Sequence, residues 1–253
     1  MIHAHQLTRF DLSQPARPDH ARNRAQQVSA QLQIIGIGKA QRVEGAFGAN
    51  EFFDALPIDQ WIMTADGWRA RAVGLDEKGA LCFTTLSGGE CVTSTGEFPD
   101  APVGAIVERL HTDELLENIA VLATTGPVAA IIVDYGHVTS AIGDTLQAVR
   151  AHAHEHPLCS PGEADLSAQV DFACMAATAR RAGLEVDAPV SQGEFLGRLG
   201  IVERARTLMS ANPAIAGEIE VAIARLISPE AMGGRFKVLG LRSTGLQALP
   251  GLS

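Results

Sequence analysis

Tyrosine occurs once in these 253 residues, aromatics make up 5%, and Lys+Arg (20) fall short of Asp+Glu (29), giving a formal net charge of −9. That balance argues against a nucleic-acid partner held by phosphate neutralisation, and the scarcity of rings removes a stacking platform for single strands. Cysteine is also scarce. Cys82, Cys91, Cys159 and Cys174 form no CxxC pair, which suits unpaired thiols in a reduced compartment better than a disulfide scaffold or a zinc site. The most apolar run, Ile119 to Val133, is interrupted by Thr124, Thr125, Gly126 and Pro127, so it cannot supply the roughly 20 continuous apolar residues of a membrane span. What is plentiful is core material: 46% of residues are hydrophobic and 19% charged, enough for one sizeable globular domain or two small ones.

The composition breaks near residue 47. The first 47 residues hold six Lys+Arg against three acids and seven Gln, whereas the remaining 206 hold 14 Lys+Arg, 26 acids and five Gln. Residues 1–47 therefore read as an atypical leader, disordered or mis-joined, ahead of a folded body at 48–253. An Arg-rich leader could be a mitochondrial presequence, but Asp11 and Asp19 speak against it. Leu32 to Gly38, LQIIGIG, could be a strand running into a phosphate-cradling turn; the complete βαβ unit that such a fingerprint needs does not fit before the next motif.

Within the body, turn signals at Ala65-Asp66-Gly67 and Asp76-Glu77-Lys78-Gly79 predict an antiparallel meander with strands near 60–64, 68–75 and 80–85. Leu115, Leu116, Ile119, Leu122 and Ala123 share one helical face, with Thr112 as N-cap and Gly126-Pro127 as the stop. Val128 to Val133 predicts a central strand buried on both faces, whose carboxyl end, Asp134-Tyr135-Gly136, is where open α/β sheets bind ligands. Further helices are expected over Ser167–Ala182, from the capping box at Ser191-Gln192-Gly193-Glu194, and after Asn212-Pro213 with Ile215, Ile219, Ile223, Leu226 and Ile227 facing the core. Phe236 to Leu241 reads as a late strand. His152, His154, His156 and Cys159 read as a solvated helix end, because no second ligand cluster is spaced to close a metal site.

Three strings could carry chemistry: Asn50-Glu51-Phe52-Phe53-Asp54-Ala55-Leu56-Pro57; Asp134-Tyr135-Gly136 with Gly143-Asp144-Thr145-Leu146-Gln147; and Pro161 to Phe172, PGEADLSAQVDF. With Gln192 to Leu196, Leu199 to Ile201 and Met232 to Val238, they resemble the MidA family of class I S-adenosylmethionine-dependent methyltransferases. That family includes the mitochondrial arginine methyltransferase that assists respiratory complex I assembly. The resemblance runs from about Gly48 to Gly251. It implies a partial class I methyltransferase: an α/β, Rossmann-like, mostly parallel sheet carrying the inserted antiparallel meander. It also implies S-adenosyl-L-methionine as cofactor and arginine of a partner protein, a respiratory complex I subunit among the candidates, as acceptor. The family's ELGPGxG loop and the acid ending its second strand have no counterpart in this sequence. The expectation is therefore an N-terminally incomplete domain that binds the cofactor poorly alone and exposes a sheet edge suited to homodimerisation. Gln169 stands where the family usually has His.

Under this resemblance Asn50, Glu51 and Asp54 are the catalytic candidates, because carboxylates can grip an arginine guanidinium that stays protonated. Asp134, Tyr135, Gly136 and Asp165 are the substrate-binding candidates. Blander alternatives stand beside them: a satisfied strand-end acid for Glu51, a turn acid for Asp54, a loop cap for Asp134, and N-caps for Asp144, Asp165 and Asp171. Phe52, Phe53 and Leu56 read as core. A non-catalytic binding or assembly module is the alternative function, and the expected location is the bacterial cytoplasm or, alternatively, the mitochondrial matrix.

Overall fold

A computed structural model describes residues 45–86 and 98–253; the sequence-read turn at 32–38 and the leader through Glu44 lie outside the described residues. In chain order the strands are β1 (Gly45–Asn50), β2 (Ile58–Thr64), β3 (Gly67–Leu75), β4 (Leu81–Thr85), β5 (Ile106–Leu110), β6 (Val128–His137), β7 (Gln147–Arg150), β8 (Ala153–Glu155), β9 (Asp165–Ser167), β10 (Val170–Asp171), β11 (Glu185–Ser191) and β12 (Phe236–Arg242). The helices are α1 (Asp113–Thr125), α2 (Phe172–Arg181), α3 (Gln192–Arg198), α4 (Ile201–Ala211), α5 (Ala216–Ile227) and α6 (Met232–Arg235). They divide into two compact units, one covering residues 55–111 and 141–169, the other 45–54, 112–140 and 170–253 among the described residues.

The second unit is built on β6. β1 runs parallel to it, pairing Gly45 with Val128 through Asn50 with Val133, so β1 crosses the composition break at residue 47. β12 runs antiparallel on the other side and pairs in turn with β11, while the two residues of β10 add a parallel contact at Gly136 and His137. Parallel and antiparallel pairings are thus equally frequent among the described strands of this sheet. Val128, Ala129, Ala130 and Ile132 are buried on both faces, as their uninterrupted apolar run predicts.

Helix α2 covers the sheet with Phe172, Met175, Ala176 and Ala179, an i, i+3, i+4, i+7 stripe that is almost wholly buried. Burying the two large side chains contributes roughly 1.5–3 kcal/mol each. This helix begins later than its periodicity predicts. Asp171 accepts the Cys174 amide at 2.9 Å and sets the start there, and residues 165–167 form β9 instead. Helix α1 keeps its predicted limits, but Thr112 makes no side-chain cap bond. Helix α3 has its cap, with Ser191 accepting from the Glu194 amide at 3.2 Å. Helix α5 corrects a further expectation: none of its residues is fully buried, and Ile215, just ahead of it, is 44% exposed.

In the first unit, β4-β3-β2-β5 form an antiparallel sheet. The three predicted meander strands are present, and β5 adds a fourth that no turn signal in the sequence predicts. Trp68, Ala105 and Val107 make its core with Trp61, Met63, Phe98 and Ala101. A polar network lies on the same sheet. Glu108 accepts from the Gln60 amide at 2.6 Å and from the backbone N–H groups of Thr145 and Leu146 at 3.1 and 3.2 Å. Arg71 pairs with Asp144 at 2.8 Å and lies 3.6 Å over the Phe83 ring. Asp144 therefore opens no helix; the chain continues into β7, which pairs with β8 and β9. His152 belongs to the tight turn between β7 and β8, with Ala151 and His152 both left-handed, rather than to a helix end.

Candidate functional site

At the carboxyl end of β1 the chain turns sharply. The Glu51 amide still bonds the Val133 carbonyl at 3.0 Å, but Glu51 itself adopts φ 48°, a left-handed conformation that a side chain makes costly. Asn50 and Glu51 are both exposed, and their side chains contact each other at 3.4 Å. Phe53 then turns inward, 1% exposed, and packs edge-on against Phe52 with ring centroids 5.3 Å apart. A single 3-10 turn, Phe53–Ala55, follows.

Asp134 on the neighbouring strand holds this turn. Its Oδ2 accepts the backbone N–H groups of Phe52, Phe53 and Asp54 at 3.2, 2.9 and 3.2 Å, and its Oδ1 accepts that of Tyr135 at 2.9 Å. Three successive amides aimed at one oxygen make an anion-binding nest, here filled by the protein's own carboxylate. Asp134 is 0% exposed, and its pKa is pushed up to about 7. Burial is the main cause and the charge of Asp54 the next; the amide donors act in the opposite direction. Lys237 is the register partner of Asp134 but does not neutralise it: its ammonium donates to the carbonyls of Gly234 and Arg235, and burial holds it below the ordinary lysine range.

Tyr135 grips the same loop by its side chain. Its hydroxyl donates to Asp54 Oδ2 at 2.5 Å, and its ring meets that of Phe236 edge-on at 5.8 Å. The other Asp54 oxygen, Oδ1, is buried with no hydrogen-bond partner among the described residues.

The structure therefore gathers Asn50, Glu51, Asp54, Asp134 and Tyr135 at one strand end. Asp134 departs from its substrate-binding expectation, because its carboxylate is inaccessible and engaged by the chain; the blander reading of a loop cap describes it, except that the loop is the one after β1 rather than after its own strand. Gly136 is required by packing: a Cβ there would stand 2.0 Å from the Val170 carbonyl oxygen of β10. Asp165 lies in the other unit, on β9 opposite Val149, and initiates no helix. Phe236, which backs the Tyr135 ring, was legible as a strand residue but gave no sign of that contact. No group of three or more His, Cys, Asp or Glu among the described residues could hold a metal ion, and no described helix is long and apolar enough to cross a membrane.

A family model for S-adenosyl-L-methionine-dependent methyltransferases matches residues 17–190, beginning upstream of the motifs. Among curated proteins, the protein arginine methyltransferase NDUFAF7, mitochondrial, of Danio rerio is 34% identical over 203 residues, covering 78% of this chain and 47% of its own length. The human counterpart is 28% identical over 209 residues, covering 76% and 44%. A crystal structure from Burkholderia thailandensis with S-adenosyl-homocysteine bound superposes with a TM-score of 0.72 at 25% identity, over 92% of this chain and 64% of that one. A second structure from the same organism gives 0.71 at 25% identity, over 85% and 59%. The chain spans about half the length of the curated relatives it matches. On the family match and the relatives' identity over most of its residues, this chain belongs to the S-adenosyl-L-methionine-dependent methyltransferases, with their Rossmann-like α/β fold.

Proposed function

We propose that this protein takes part in methyl transfer from S-adenosyl-L-methionine to an arginine of a partner protein, with the acceptor held at the carboxyl end of β1. The observation that carries the reading is the exposed Asn50-Glu51 pair, fixed in a left-handed turn by the buried Asp134 beside the central strand. The activity for which the curated relatives are named, protein arginine methylation, supports the choice of acceptor.

An arginine acceptor arrives protonated, so a carboxylate that accepts two parallel N–H bonds can orient it. Glu51 supplies that carboxylate, the Asn50 amide fixes the guanidinium plane, and Asp54 adds negative charge behind them. S-adenosyl-L-methionine, when bound, supplies a methyl group made electrophilic by its sulfonium. The described residues at this strand end fit the cationic acceptor rather than the methionine and ribose parts of the cofactor. The chain's own contribution is position and charge placement: one nitrogen is presented in line, and as it takes the methyl group it gives up one N–H proton, for which the Glu51 carboxylate is the acceptor at hand. Asp165, on β9 of the other unit, is kept as a separate candidate for acceptor binding. A respiratory complex I subunit is the acceptor suggested by the MidA resemblance, and the mitochondrial names of the curated relatives favour the matrix as the site of action in an organelle-bearing host.

The acceptor-side character of the described residues at this strand end also suits a second reading, a non-catalytic module that binds or assembles a partner. Calorimetric titration of the full chain with S-adenosyl-L-methionine separates the two. The enzymatic reading expects micromolar-range binding, about −8 kcal/mol; absence of binding at millimolar ligand supports the module.

A further inference from the structure

We infer that Tyr135 is a positioning residue for the acceptor pair, acting through Asp54 rather than touching substrate. The inference rests on the acceptor-side reading of Asn50 and Glu51.

The residue pair Asp134-Tyr135 holds one loop in two different ways. Asp134 takes the backbone of residues 52–54, whereas the Tyr135 hydroxyl takes the Asp54 side chain at 2.5 Å. The tyrosine ring is itself braced by a T-shaped contact with that of Phe236, a residue only 9% exposed on the antiparallel strand β12. A phenol braced this way cannot follow the carboxylate if the loop shifts, so the bond fixes the loop's place relative to the sheet. Glu51, three residues earlier, is in a left-handed conformation, and such a residue persists only where its surroundings over-determine it. The Tyr135–Asp54 bond is one of those determinants. Misplacing a gripping group by about 1 Å can cost on the order of 100-fold in rate.

Tyr135→Phe keeps the ring and its contact with Phe236 while removing the hydroxyl; Asp54→Asn weakens the other partner. Three readouts on the full chain test the pair: amide exchange at Phe52, Phe53 and Asp54, binding of the arginine tripeptide Gly-Arg-Gly followed by the Glu51 amide resonance, and, where the wild-type chain transfers methyl groups, kcat and KM. Each single variant is expected to weaken tripeptide binding at least threefold and to quicken exchange. Where transfer occurs, each should lower kcat about tenfold with KM for the cofactor within twofold. The double variant should be no worse than the poorer single one. Tripeptide binding unchanged in Tyr135→Phe, or additive losses in the double variant, overturns the inference, as does a wild-type chain that binds no tripeptide. Wild-type tripeptide binding without any methyl transfer would instead refute the catalytic reading and leave the positioning role standing on the exchange and binding results.

Discussion

Glu108 in the meander unit and Asp134 in the mixed-sheet unit each pin a distant segment by accepting its backbone N–H groups, yet their company differs. Glu108 takes the amides of Thr145 and Leu146 along with the Gln60 side chain, on a sheet where Arg71 pairs with Asp144. Asp134 takes three loop amides in full burial, next to a second acid and with its register partner Lys237 turned to carbonyl oxygens. The first arrangement closes on itself. The second leaves on Asp54 a carboxylate oxygen with no partner among the described residues, and on Asp134 a proton affinity poised near neutrality, which is where perturbed groups point to function.

Deleting each acid should affect the two units unequally. Asp134→Ala strands four backbone amides, those of Phe52, Phe53, Asp54 and Tyr135, at roughly 1–3 kcal/mol apiece, so chemical denaturation should show a loss of at least about 4 kcal/mol. Glu108→Ala strands two backbone amides and the Gln60 and Thr145 side chains, but at a part-buried place that water can reach, and should cost less, about 2 kcal/mol, with exchange quickened at Thr145 and Leu146 but not at Phe53. Equal losses would erase the distinction.

A pH series sharpens it. Between about 4 and about 7 the folded chain keeps a proton on Asp134 that the unfolded chain has released, so this group's contribution is full below its unfolded pKa and is lost as pH rises through about 7. Urea midpoints measured from pH 4.5 to 8 should fall accordingly in the wild type, and the slope should flatten in Asp134→Asn. A smaller effect is expected at Glu51→Gly. Relief of the left-handed conformation should stabilise the fold by about 1 kcal/mol while removing the acceptor-side carboxylate; a destabilised variant would mean that the Glu51 side chain does structural service.

Much of the mixed-sheet unit was legible in the sequence because its signals are local. The apolar run of β6, the Ser191 cap and the stop at Gly126-Pro127 each concern residues within a few positions of one another. What failed depended on distant partners. Asp144 reads as an N-cap until Arg71 and Gln60, more than 70 residues earlier, come to face it. Likewise, Asp134 reads as a lip of the pocket until the loop after β1 folds back onto it. The α5 stripe obeys helical periodicity, but periodicity alone does not guarantee a covering surface. Motif resemblance found the strand end; only the fold shows that its three acids divide into an exposed group, a hydroxyl-bound group and a buried anchor.

The central claim is that Glu51 grips the acceptor. It is tested most directly by incubating the full chain with methyl-labelled S-adenosyl-L-methionine and an arginine-bearing protein acceptor, comparing wild type with Glu51→Gln at matched circular dichroism. The account predicts label on arginine with the wild type and a loss of at least 100-fold in the variant. Equal labelling by both would contradict it.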